Sequence, residues 1–141
     1  MAVALVASAR RVDGVEVVAK RAQDAGVQDI LAADALVIGC SENFGGMSGM
    51  VKDLLERIYY PCQGKLEGRA WSHFVCCGSD GSGAVLGLER VAKGLGLRKV
   101  HPGVVWRGGR PDVAQTVPPP VLAECELLGA TLGEGLAAGL W

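Results

Sequence analysis

Apolar residues in this chain fall into two kinds of run. ALVIGC from Ala35 and SHFVCCGS from Ser72 are nearly unbroken, the pattern of strands covered on both faces, as in a parallel sheet. Between them the spacing becomes helical. Met47, Met50, Val51, Leu54, Leu55 and Ile58 share one face, and Lys52, Asp53, Glu56 and Arg57 form the wet one. Ser48 is a suitable cap, so this helix is predicted to run to about Tyr60 and stop before Pro61. A second amphipathic run, Ala84 to Leu95, places Val85, Leu88, Val91, Ala92 and Leu95 together, closed by Gly94 and Gly96.

The remaining segments complete an alternation. Val3, Leu5 and Val6 among alanines predict a short helix, ended by Arg10, Arg11 and an Asp13-Gly14 turn. VEVVAKRA from Val15 is β-branched and reads as a strand. Gln28 to Ala33 reads as one or two helical turns. KVHPGVVW reads as a strand, with Pro102 at its start or at a bulge. Val121 to Leu140 predicts a last helix with prolines at its front edge. Alternation of this kind predicts an α/β three-layer sandwich on a mostly parallel sheet, one domain over residues 1–141. Ligands of such sheets bind at the carboxyl ends of the strands. Two glycine-rich loops, SENFGGMSG and GSDGSG, both follow strands and should lie there.

Composition narrows the classes. A chain of 141 residues, half of them apolar, can build a real core. Its formal net charge of −1 argues against nucleic acid or an anionic membrane surface as a partner. No apolar run could cross a bilayer, and the arginines of MAVALVASARR follow its apolar part instead of preceding it, unlike a signal peptide. The expectation is a cytoplasmic protein. Five cysteines, an odd number without C-x-x-C or zinc-finger spacing, predict buried reduced thiols.

In the first loop, Gly45, Gly46 and Gly49 allow close backbone approach and offer N–H donors. Asn43 can donate and accept, and Phe44 can cover a flat ring. The plain alternative is a tight strand-to-helix turn with a core phenylalanine. In the second loop, Gly78, Ser79, Asp80 and Gly81 suit a turn; Asp80 would repel phosphate but could accept from a hydroxyl or ring N–H. Arg107 and Arg110 flank RGGR and could hold a cofactor phosphate, or simply be solvated. His73 and His101 have no acid nearby in sequence, which points to structural or surface roles. There is no G-x-S-x-G elbow and no H-E-x-x-H. The central strand runs into Cys40-Ser41-Glu42, which does not fit a phosphate-accepting receiver domain.

Together, ADALVIGCSENFGGMSGMVKDLLERIYYP and GSDGSGA resemble the flavodoxin-like flavoproteins, in particular the NAD(P)H-dependent FMN reductase and quinone reductase branch. Phe44, Gly45, Met47, Ser48, Gly49 and Lys52 match its Phe-Gly-x-Met-Ser-Gly and following lysine. The resemblance covers most of the chain. It implies that the backbone of Glu42, Asn43, Phe44, Gly45 and Gly46 cradles the FMN isoalloxazine, with Gly78, Ser79, Asp80 and Gly81 bordering the ring or ribityl chain.

The sequence departs from the family in two places. Cys40-Ser41 stands where the family has Thr-Pro, which loosens the approach to the loop. The family also begins with a strand and a Ser/Thr/Gly turn that binds the FMN phosphate, whereas this chain starts where the first helix should begin. The expected sheet therefore lacks an internal strand beside ALVIG. A misplaced start, a VEVVAK strand shifted against ALVIG, or a strand from a second chain would each account for that.

The resemblance implies an FMN-dependent NAD(P)H oxidoreductase. Hydride would pass from the nicotinamide to flavin N5, and electrons onward to a quinone, flavin or similar small acceptor. The flavin carries the chemistry, so no acid/base pair is needed. A homodimer or tetramer is also implied. The alternative is a non-catalytic binding module of the same fold that has lost FMN.

Overall fold

The computed structural model describes residues 1–108 and 116–141. Its sheet is built on β3 (Ala70–Cys77), which pairs in parallel with β1 (Ala35–Asn43) along one edge. On the other edge β3 pairs, also in parallel, with two short pieces, β4 (Arg98–Lys99) and β5 (Val104–Arg107). KVHPGVVW is thus a strand in two parts. Pro102, which has no N–H to give, lies in the gap between them. A two-residue strand, β2 (Gly46–Met47), folds back antiparallel on the end of β1.

Helices cover both faces. On one lie α1 (Ala2–Ala9) and α5 (Pro119–Ala137), whose Leu5, Cys125, Leu128 and Leu132 pack with Val104 and against Val37 and Phe74. On the other lie α2 (Val27–Ala32), α3 (Gly49–Cys62) and α4 (Ser82–Gly94). There Val51, Leu54, Leu55 and Ile58 meet Trp71, Val75, Leu88 and Ala92. Ile58 and Trp71 are only 2% exposed, and burying each such side chain contributes roughly 1.5–3 kcal/mol.

Several expectations need correction. Residues 15–20 form no strand. Their β-branched composition is suitable, but they have no strand beside them, and an isolated strand has nothing to satisfy its backbone. Met47 belongs to β2, and Met50 stands 58% exposed, so the buried stripe of α3 begins at Val51. Helix α3 runs through Pro61 to Cys62. Pro61 lies in the last turn, and Gln63 N–H still closes on Tyr59 O at 2.9 Å. The predicted start and end of the chain's other helices hold to within a few residues.

Two arginines fasten the second layer. Arg57 on α3 donates to the carbonyls of Ala22 and Ala25, ahead of α2. Arg69, just before β3, donates from Nη1 to Leu31 and Ala33 at the end of α2, where carbonyls lack helical partners. Cys40, Cys62, Cys77 and Cys125 are buried, Cys76 is half-buried, and all five are free thiols. No described helix is long and apolar enough to cross a membrane.

Candidate functional site

The first loop is a hairpin. Glu42 pairs with Met47 and Asn43 with Gly46, leaving Phe44 and Gly45 as the two turn residues. Their φ values are 53° and 71°, so both occupy the left-handed region. Two-residue hairpins favour such turns because their twist matches the strands, with asparagine, aspartate or glycine as the usual residues. Phe44 is the sole non-glycine residue with positive φ among those described. It is also fully exposed. A core phenylalanine is therefore ruled out at this position.

The hairpin is held from both ends. At its base, Cys40 Sγ accepts from Ser48 N–H at 3.3 Å and lies 3.6 Å from the Ser48 hydroxyl. Ser48 precedes α3 as expected, but its side chain does not cap the helix; it turns to Cys40. At its tip, the Glu42 side chain reaches across to the second loop. Glu42 Oε2 accepts from the Ser79 hydroxyl at 2.5 Å and from Gly81 N–H at 3.2 Å. Glu42 Oε1 accepts from Gly83 N–H at 3.0 Å and Ala84 N–H at 3.3 Å. One carboxylate thus fills the N-terminus of α4, where unpaired N–H groups and the helix dipole favour negative charge. The Ser79 hydroxyl is the main cause of its lowered pKa. Burial opposes that shift, and the N–H groups of Ala84, Gly81 and Gly83 add to it.

The two loops expected on one sheet edge are therefore joined there. Gly83 makes the junction possible, since a β-carbon on it would overlap Gly45 O. Asp80 turns inward on its own loop, where Oδ1 accepts from Ser82 N–H at 2.9 Å and from the Ser82 hydroxyl at 2.7 Å. Those bonds hold its carboxyl below the usual range, the backbone one first. Asn43 is exposed and donates to the Ser41 hydroxyl at 3.4 Å. Gly78, Ser79 and Asp80 are exposed, and Gly81 is buried.

Other candidates fall elsewhere. Arg107 ends β5, exposed, and its charge helps lower the pKa of Asp80. Arg110 lies outside the described residues. His73 is 1% exposed within β3, and neither ring nitrogen has a partner. His101 Nδ1 accepts from Gly103 N–H at 3.1 Å. Neither histidine joins the loops. Among the described residues no group of three or more His, Cys, Asp or Glu could hold a metal. Sequence reasoning placed Glu42 in the site for its backbone and missed its carboxylate as the link. The available signal was an acid after a buried strand, opposite a glycine-rich helix start.

No family model matches the chain, and no curated protein matches it. Solved structures do. A flavodoxin from Archaea superposes with a TM-score of 0.76 at 16% identity, covering 96% of this chain and 87% of that one. A WrbA-like flavodoxin from Agrobacterium tumefaciens gives 0.72 at 16% identity, over 97% of this chain and 87% of that one. The rubredoxin oxygen:oxidoreductase of Desulfovibrio gigas gives 0.76 at 18% identity, over 99% of this chain and 33% of that one. This chain thus spans about a third of that larger protein. The architecture is the flavodoxin-like α/β fold.

Proposed function

We propose that this chain is a flavin-binding redox protein, specifically an FMN-dependent NAD(P)H oxidoreductase that passes electrons to a quinone, flavin or similar acceptor. The observation that carries the reading is the pose of Phe44. A bulky aromatic occupies a left-handed turn position that costs it backbone energy, and it stands in full contact with solvent. Folding alone gains nothing from that choice, whereas a flat aromatic ligand would gain a stacking surface.

The described residues fit the ring of FMN. Phe44 offers a face, the Glu42–Gly46 backbone offers close approach, and Gly78, Ser79, Asp80 and Gly81 form the adjacent wall. Glu42 holds the two walls together. Bound FMN would supply the redox chemistry, so the chain's own work is to orient the ring and exclude water from one face. The neighbours' names, flavodoxin and oxygen:oxidoreductase, support a redox reading. A cytoplasmic location and a homodimer or tetramer are part of this proposal.

A second reading has its own support. The open side of β1 among the described residues favours a binding module of this fold without FMN. Titrating FMN into the chain while following flavin fluorescence separates the two. Saturable quenching that weakens at least about tenfold in Phe44→Ala supports the flavin site, a loss of about 1.4 kcal/mol. Absence of quenching at any FMN concentration leaves the binding module.

A further inference from the structure

The hairpin meets α4 at two points one helical turn apart. A β-carbon on Gly83 would overlap Gly45 O, and one on Gly87 would stand 2.6 Å from the methyl carbon of Met47. Glycine inside a helix is unfavourable, yet α4 has it at both positions where the hairpin touches. Met47 belongs to β2 and pairs in register with Glu42, whose carboxylate holds Gly83 and Ala84 at the start of α4. A shift of Met47 therefore reaches the junction of the two loops. Met47 is also open to solvent. It is half-buried, packs against the core, and lines a cavity of about 300 Å³ with Leu55, Tyr59, Val91 and the exposed Lys52–Glu56 pair. A small solute in that cavity reaches the side chain without unfolding the chain. The other two methionines differ. Met50 is 58% exposed and packs into neither core cluster, and Met1 packs on the opposite face of the sheet.

From this geometry we infer that Met47 is a site of reversible oxidation by small peroxides, and that its sulfoxide releases the hairpin from α4. The step needs hydrogen peroxide and nothing else. The thioether sulfur gives an electron pair to one peroxide oxygen, the O–O bond breaks and an S–O bond forms. The proton of the transferred oxygen passes to the departing hydroxide, which leaves as water. Sulfur is oxidised and the peroxide reduced. The product is bulkier and polar, and it takes the place of a flexible apolar side chain. Against Gly87, Leu55 and Val91 the new oxygen finds no side-chain donor, and a polar group kept there without one is costly. The donor on the same cavity is Lys52, whose ammonium lies 3.2 Å from Glu56 in solvent. The oxidised side chain therefore turns outward, and β2 loses its hold on α4. Met50, already in water, gains an oxygen with no such effect. Neither the contact nor its loss depends on bound flavin.

The test is amide exchange at Gly83 and Ala84 in the full chain under graded hydrogen peroxide, with oxygen uptake at each methionine followed by peptide mass. Met47→Leu and Met50→Leu are measured beside the native chain. The expected result is exchange about tenfold or more faster once Met47 carries oxygen, in the native and Met50→Leu chains alike, with no response in Met47→Leu. Methionine sulfoxide reductases supplied with a thiol should restore slow exchange, and the thiol alone should not, which separates Met47 from the five cysteines. Should Met47→Leu loosen the hairpin by itself, the Met50→Leu chain still decides, because its exchange must rise in step with oxygen at Met47. Resistance of Met47 to peroxide until the chain unfolds would overturn the inference. So would oxidation of Met47 without faster exchange, recovery by the thiol alone, or exchange that is already fast before peroxide.

Discussion

Gly83 and Gly45 touch across the two loops so closely that a β-carbon on Gly83 would overlap the Gly45 carbonyl oxygen. Gly83 sits in the first turn of α4, where alanine is the better helix former by about 1 kcal/mol. Gly83→Ala should therefore leave thermal stability near wild type while pushing the hairpin away. Its expected signature is FMN affinity reduced at least about tenfold with Tm little changed. A large fall in Tm would mean that the contact supports the fold more than the site.

Glu42 holds the same junction by charge. Its pKa is lowered from 4.5, chiefly by the Ser79 hydroxyl, so the folded hairpin prefers the carboxylate. That contribution is complete above the usual value and is lost as pH falls through the lowered one. Hairpin docking should thus loosen in acid, as pH falls below the usual glutamate range. Glu42→Gln should show the loosened state already at neutral pH and lose the acid dependence. Amide exchange at Gly83 and Ala84, which donate to this carboxylate, is the measurement.

Phe44→Gly separates folding from function. Glycine accepts the φ of 53° without penalty, which should stabilise the hairpin by about 1 kcal/mol. If Phe44 is there to cover a ring, the same change weakens FMN binding. Stability and affinity moving in opposite directions is the expected outcome, and a parallel loss of both would show that the side chain supports the fold.

His73 makes the core sensitive to acid. Burial, aided by the Lys99 charge, lowers its pKa from 6.5 to about 4, and the charges of Glu89 and His101 act weakly in opposite senses. A lowered histidine pKa means that the unfolded chain takes up the proton first. Stability is unaffected above about pH 6.5, falls as pH drops toward 4, and levels below, losing about 3 kcal/mol in all. His73→Leu should flatten that stretch of the curve. It should also add about 1–2 kcal/mol at neutral pH, because two buried nitrogens without partners are removed.

What was legible in the sequence follows from where the physical signal is local. The apolar runs of β1 and β3, the stripe of α3 from Val51 onward and that of α4 carry their burial in their own spacing, and they came out as read. VEVVAK did not, because a strand is completed by its neighbour, and β-branched residues cannot supply one. KVHPGVVW broke because one proline outweighs the valines around it. Both loops were placed on the correct edge by topology alone. Their junction was not visible, since Glu42 and Gly83 are far apart in sequence and meet only through the fold. The exposure of Phe44 was likewise hidden, because an aromatic beside glycines suits a core or a surface equally well.

The division of the last strand at Pro102 has a consequence for how copies of this chain behave in concentrated solution. Long, flat sheet edges template aggregation, and short or interrupted ones do not. On the β4–β5 side the exposed ladder is cut into pieces of two and four residues, too short to recruit another chain. Pro102→Val should join them, and the expected result is more sedimenting material at high concentration with Tm unchanged. Proline at this point works as a solubility device: it blunts one margin of the sheet.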